Sequence, residues 1–184
     1  MDKVIQTYFE QLDSKDKDVQ YEAYQNILSA ADEKVDWAYE VWDELLKGLK
    51  SKDNHQRSRS AQFLSSLAIS DPDKRMLKDF SAVWEVTKDP KFVTARHSLQ
   101  SIWKIGLAGS QQKRLVLEHL ADRFQTCSNE KNNTLIRFDI IQDLKNLYDH
   151  LNEEEIKKKA LELIEMEEEN KYRKKYMAVW RNNI

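Results

Sequence analysis

Glycine and proline are scarce in this chain, with three and two copies among 184 residues. Because those residues punctuate strands, hairpins and long loops, their scarcity argues against a turn-rich β architecture and predicts helices joined by short polar turns. Cysteine is rarer still. The lone Cys127 has no partner for an internal disulfide, and with no histidine clustered beside it the thiol reads as functionally silent. No run approaches the roughly 20 apolar residues that a membrane span needs, and Met1-Asp2-Lys3-Val4-Ile5-Gln6 lacks the basic-then-apolar pattern of a secretory leader. A cytoplasmic protein with no membrane partner is expected. An excess of one charge is also missing: 30 basic and 32 acidic residues leave a formal net charge of −2, which supplies no general attraction to nucleic acid or anionic lipid.

What is present is enough apolar surface for a core. Hydrophobic residues make up 40% of the chain and include five Trp, six Phe and seven Tyr, which separates it from the disordered class despite its high charge content. A single domain over residues 1–184 is expected.

Self-comparison shows an internal repeat. An apolar anchor recurs at Ile27, Leu64, Ile102, Leu144 and Trp180, at spacings of 37, 38, 42 and 36 residues. One helical turn earlier stand Ala23, Ser60, Ser98, Ile140 and Tyr176, and positions four apart share a helix face, so the two columns form an inward stripe. The intervening segments are read as amphipathic as well: Ala38, Val41, Trp42 and Leu45 follow three-and-four spacing, residues 73–88 do likewise with Met76, Leu77, Phe80, Val83 and Trp84, and residues 111–125 with Leu115, Leu117, Leu120 and Phe124. The pattern predicts helix pairs at about 3–31, 34–69, 73–107, 111–150 and 153–181, the scale of a helical repeat array. Trp37, Trp42, Trp84 and Trp103 fall on the apolar stripes and are expected in the core, with Trp180 sealing the last repeat.

The stretch Asp89-Pro90-Lys91-Phe92-Val93-Thr94-Ala95-Arg96-His97-Ser98-Leu99 resembles the turn and second-helix start of a HEAT repeat. The resemblance extends over nearly the whole chain and implies an all-α fold, a right-handed α-α superhelix (solenoid) of about five antiparallel helix pairs. HEAT repeats carry a turn Asp and an early second-helix Arg that pair along the stack. Seven residues before the anchor this chain has Arg57, Arg137 and Arg173, with Gln20 and Ala95 in the other two repeats. Eleven before it stand Asp16, Asp53, Asn133 and Glu169, with Lys91 departing from the pattern. These arginines lie almost on the side of the buried anchor, which favours structural pairing over a phosphate-binding stripe.

A polar column stands two residues before the anchor: Gln25, Gln62, Gln100 and Gln142, then Ala178. In a HEAT-like array the second helices line the concave side, so these amides would form a ridge along a groove, each offering a donor and an acceptor to an extended peptide. The glutamines could equally bond one another or water and simply keep the groove polar. Three residues further back lie Glu22, Arg59, His97, Asp139 and Lys175, whose alternating signs suit a protein segment of mixed charge better than a phosphate backbone. Gln25, Gln62, Gln100 and Gln142, with Arg59, Arg96, His97 and Lys104 beside them, are the candidate partner-binding residues. Local basic clusters at 55–59, 91–104 and 171–181 keep a nucleic-acid-binding alternative open. The run Glu153 to Glu169 reads as a solvated face with Glu153–Lys157 and Glu155–Lys159 pairs.

Nothing points to catalysis. His55, His97, His119 and His150 are dispersed along the chain without zinc-ligand spacing, and there is no Gly-rich phosphate loop and no Gly-x-Ser-x-Gly elbow. The expectation is a monomeric, non-enzymatic protein- or peptide-binding module without metal or cofactor.

Overall fold

The computed structural model describes residues 1–183. Within them the chain forms ten α-helices and no strand: α1 (Lys3–Gln11), α2 (Lys17–Ala31), α3 (Ala38–Gly48), α4 (Asn54–Leu67), α5 (Arg75–Val86), α6 (Phe92–Ser101), α7 (Ser110–Thr126), α8 (Asn133–Leu151), α9 (Glu154–Glu165) and α10 (Asn170–Val179). All five segments expected to hold a helix pair do so. None of the described helices is long and apolar enough to cross a membrane.

The chain divides into two compact units, Met1–Ser98 and Leu99–Ile184. In the first, α1 packs on α2 and α3 on α4, while α2 also packs on α4 and α3 on α5. The inward stripes make these contacts. Ala23, Ile27, Ala61, Leu64 and Trp42 are all completely buried, and the Trp42 indole N–H donates to Asp79 Oδ2 at 2.9 Å, so its polar edge is satisfied. In the second unit α7 packs on α8, α8 on α9 and α9 on α10, and α7 also meets α9 and α8 meets α10. A 3-10 segment over Ile102–Ala108 packs on α7 and α8, and Ile102 and Ile105 within it are completely buried.

The second helices α2 and α4 start where a side-chain oxygen caps the backbone. Asp16 accepts from the amides of Asp18 and Val19, and Asp53 from that of His55. Two positions earlier in four of the turns, thirteen residues before the anchor, a further oxygen accepts the amide two residues on. Ser14 Oγ takes Asp16 N at 3.1 Å, Ser51 Oγ takes Asp53 N at 3.1 Å, Asp89 Oδ1 takes Lys91 N at 2.9 Å and Glu167 Oε1 takes Glu169 N at 3.1 Å.

This turn corrects the expected pairing. The acid that meets an arginine is the one thirteen residues before the next anchor, Asp89 or Glu167, while the positions at eleven in those two repeats are Lys91 and Glu169. Arg57 binds Asp89 through two bonds, Nε to Oδ2 at 2.6 Å and Nη2 to Oδ1 at 3.0 Å. Arg137 Nη1 likewise reaches Glu167 Oε2 at 2.8 Å. Where the side chain at minus seven is polar it also ties down its own helix pair by reaching a carbonyl at or just after the end of the preceding helix: Gln20 to Leu12, Arg57 to Ser51, Arg137 to Phe124 and Arg173 to Glu167, Ala95 being the exception. Those carbonyls have no intrahelical donor, so the bonds satisfy groups that would otherwise be left open. The arginines are therefore structural, as the wheel position implied.

The acidic run is corrected too. Glu153 and Glu155 bind Lys113 of α7 instead of Lys157 and Lys159, because Lys113 approaches the start of α9 closely enough to bridge both carboxylates. Glu167 is buried in the ladder just described. All five tryptophans are buried, Trp42 and Trp180 completely. Cys127 is buried, and burial pushes its thiol up.

Candidate functional site

In the N-terminal unit the starts of α2 and α4 leave a recess of about 440 Å³ between them, with α6 adding one residue. Its wall from α2 is Lys17, Gln20, Tyr21 and Tyr24; its wall from α4 is His55, Ser58, Arg59 and Gln62, with Asp53 at the cap and His97 from α6. Three of the residues singled out from sequence meet here: Gln62, Arg59 and His97.

The floor is a closed polar network. Gln62 is buried, and its amide nitrogen donates to Ser58 O at 3.2 Å and Ser58 Oγ at 3.0 Å while its oxygen accepts from the Tyr24 hydroxyl. Burial pushes the Tyr24 phenol above its ordinary range, and the Gln62 bond opposes this in part. The Tyr24 ring leans on Phe63 at 6.0 Å and on Tyr21 at 6.1 Å. Tyr21 itself is 64% exposed, an unusual state for so large an apolar surface.

The rim is basic and largely unpartnered. Arg59 is half-buried and its one hydrogen bond runs from Nη1 to the Leu12 carbonyl at 3.4 Å, the outer limit of such a bond. Lys17 reaches only the amide oxygen of Gln20 at 3.4 Å. The His55 and His97 rings stand exposed at the same rim. Asp53, the one carboxylate present, accepts the His55 amide at 2.9 Å as a helix cap.

The remaining candidates lie elsewhere. Gln25 is exposed on α2 and Arg96 is half-buried on α6. In the C-terminal unit Gln100 is exposed and donates to Asp139 Oδ1 at 3.2 Å, Gln142 donates to Asn146 Oδ1 at 2.9 Å, and Lys104 is half-buried. Three of the four glutamines are thus committed to different kinds of neighbour: a serine and a tyrosine at 62, a carboxylate at 100, an asparagine at 142. The column is regular in sequence and irregular in its bonding.

Sequence reasoning missed Tyr21, Tyr24, Lys17, Gln20, His55, Ser58 and Asp53. A signal for three of them existed, because carrying the stripe at minus two and minus five back by one and two turns reaches minus six and minus nine, where Tyr21, Ser58 and His55 stand. Among the described residues no group of three or more His, Cys, Asp or Glu side chains is placed to hold a metal ion. No family model matches the chain, and no curated protein matches it.

Proposed function

We propose that this chain is a non-enzymatic interaction module, a HEAT-like superhelix that docks a segment of a partner protein on its second helices, with the N-terminal recess as the docking site. The observation that carries the reading is the juxtaposition of an exposed Tyr21 ring, the closed Tyr24–Gln62–Ser58 floor and the open Arg59 guanidinium around one concavity. An exposed aromatic beside an adaptable cation is the composition of an interface anchor. The closed floor makes the recess preformed, so a segment entering it loses little to reorganisation of the protein. A single nucleotide-sized recess also suits a base stacked on tyrosine, which makes a nucleic acid the competing occupant.

A photo-crosslinking amino acid in place of Tyr21, compared with one in place of exposed Met166, separates the two. Protein adducts that form from position 21, survive nuclease and are absent from position 166 are the expected result. Nucleic-acid adducts, or adducts that do not depend on position, would reject the proposal.

A further inference from the structure

We infer that the recess selects an anionic side chain, a carboxylate or a phosphate, carried on a segment of the partner protein. This rests on the interaction-module reading above and adds the chemistry of the occupant.

The inference comes from a contrast between basic groups. Where a cation serves this fold, it is visibly engaged. Arg57 makes two bonds to Asp89 and a third to Ser51 O, Arg123 makes two to Glu130, Arg137 pairs with Glu167 and lies over the Phe124 ring, and Arg75 pairs with Asp43 over Tyr39. Arg59 stands two residues from Arg57 on the same helix and is half-buried like it, yet it has no carboxylate within salt-bridge distance and a single long bond to a carbonyl. A guanidinium has five N–H donors in a planar fork, and four or more of them here have no protein acceptor. Partial burial without a counter-charge costs stability, so an arginine kept in that state is poised for an acceptor from outside.

Its surroundings have the same sign. Lys17 and Arg59 are two permanent cations against the single carboxylate of Asp53, which leaves an excess of positive charge in the recess. His55 and His97 add imidazole N–H donors, and the recess opens at the N-terminal turns of α2 and α4, where the helix dipoles favour negative charge. The Tyr21 face beside these groups gives apolar contact to the stem of the incoming side chain or to its neighbour. A bidentate carboxylate or phosphate on Arg59, flanked by Lys17 and His97, completes donors that the fold leaves open.

The test is a panel of fluorescein-labelled peptides of one backbone sequence whose central residue is Glu, phosphoserine, phosphotyrosine, Gln or Lys, flanked by acidic or neutral residues. Binding is read by anisotropy, with a single-stranded oligonucleotide and inorganic phosphate as competitors. The Glu or phosphorylated peptides are expected to bind best, and the ranking of carboxylate against phosphate identifies the source of the anion. Arg59→Gln is expected to weaken that binding roughly tenfold, the size of a lost charge-assisted bond. Lys17→Gln, at an exposed position where the fold has nothing at stake, should weaken it in the same direction. If the Gln or Lys peptide binds as well as the anionic ones and neither substitution matters, the anion inference is overturned while the interaction module stands. If the oligonucleotide displaces every peptide, or no peptide binds, both fall.

Discussion

At the scale of single residues, the sharpest feature is a carboxylate that the fold buries without a partner. Asp143 on α8 is 1% exposed, its Oδ2 has no hydrogen-bond partner, and Asp139 lies one turn away on the same face. Burial first, and the Asp139 charge second, raise its pKa well above 3.8. Between that ordinary value and the raised one, the folded chain holds a proton that the unfolded chain has released, so this residue's contribution to stability falls as pH rises. Asp89 has the opposite sign. Burial pushes it up, but the Arg57 bond and the Lys91 amide outweigh burial and hold it below 3.8, so its contribution is present at neutral pH and is lost in acid. Asp143→Asn is therefore expected to raise the melting temperature at neutral pH. The gap from the parent should widen as pH rises from about 4 into the neutral range, because the variant no longer titrates. Thermal melts across that range, in which the gap stayed constant or reversed, would show that Asp143 is satisfied in solution.

At the scale of elements, the joint between α3 and α4 is set by close approach. A Cβ added to Gly48 would stand 2.1 Å from Ser60 Oγ and 3.2 Å from Ser60 Cβ, and Ser60 is itself buried. The inward column has serine at 60 and 98 where other repeats carry Ala, Ile or Tyr, so small side chains let the second helix come close to the first. Gly48→Ala is expected to cost about 1–2 kcal/mol through overpacking, despite the better helix propensity of alanine. Adding Ser60→Ala should recover most of the loss by removing the oxygen, and urea unfolding of the two single variants and the double variant measures that coupling. The minus-seven and minus-thirteen pair belongs to this scale also: wherever arginine stands at minus seven and a further repeat follows, that repeat offers Asp or Glu at minus thirteen, as in Arg57 with Asp89 and Arg137 with Glu167.

At the largest scale, one buried side chain holds the helices of the C-terminal unit together. Trp180 is completely buried in the C-terminal unit against Tyr148, with ring centroids 5.3 Å apart, and under Lys145. Trp180→Ala is expected to cost about 3–5 kcal/mol. Loss of amide protection should begin in α8, α9 and α10, since α10 packs on both of the others. Hydrogen exchange read peptide by peptide checks this. Uniform loss across all ten helices, or loss starting in α1 and α2, would mean that Trp180 does not hold the end of the chain.

The helix pairs, their boundaries and the buried anchors were decided by sequence alone, because helical periodicity, scarce glycine and proline, and capping residues such as Asp16 and Asp53 act within a few residues of one another. The structural role of the arginines was also local, following from a wheel position next to the anchor. What tertiary structure decided is which polar groups remain unspent. Gln25, Gln62, Gln100 and Gln142 look equivalent in the sequence, yet Gln62 is consumed by Tyr24 and Ser58 while Gln100 takes Asp139, because each amide meets a different neighbour across the packed helices. Arg57 and Arg59 are likewise two of a kind until folding brings Asp89 to one and leaves the other facing open space. Partner choice depends on distances between residues some 30 to 40 positions apart in the chain, and no local pattern encodes them.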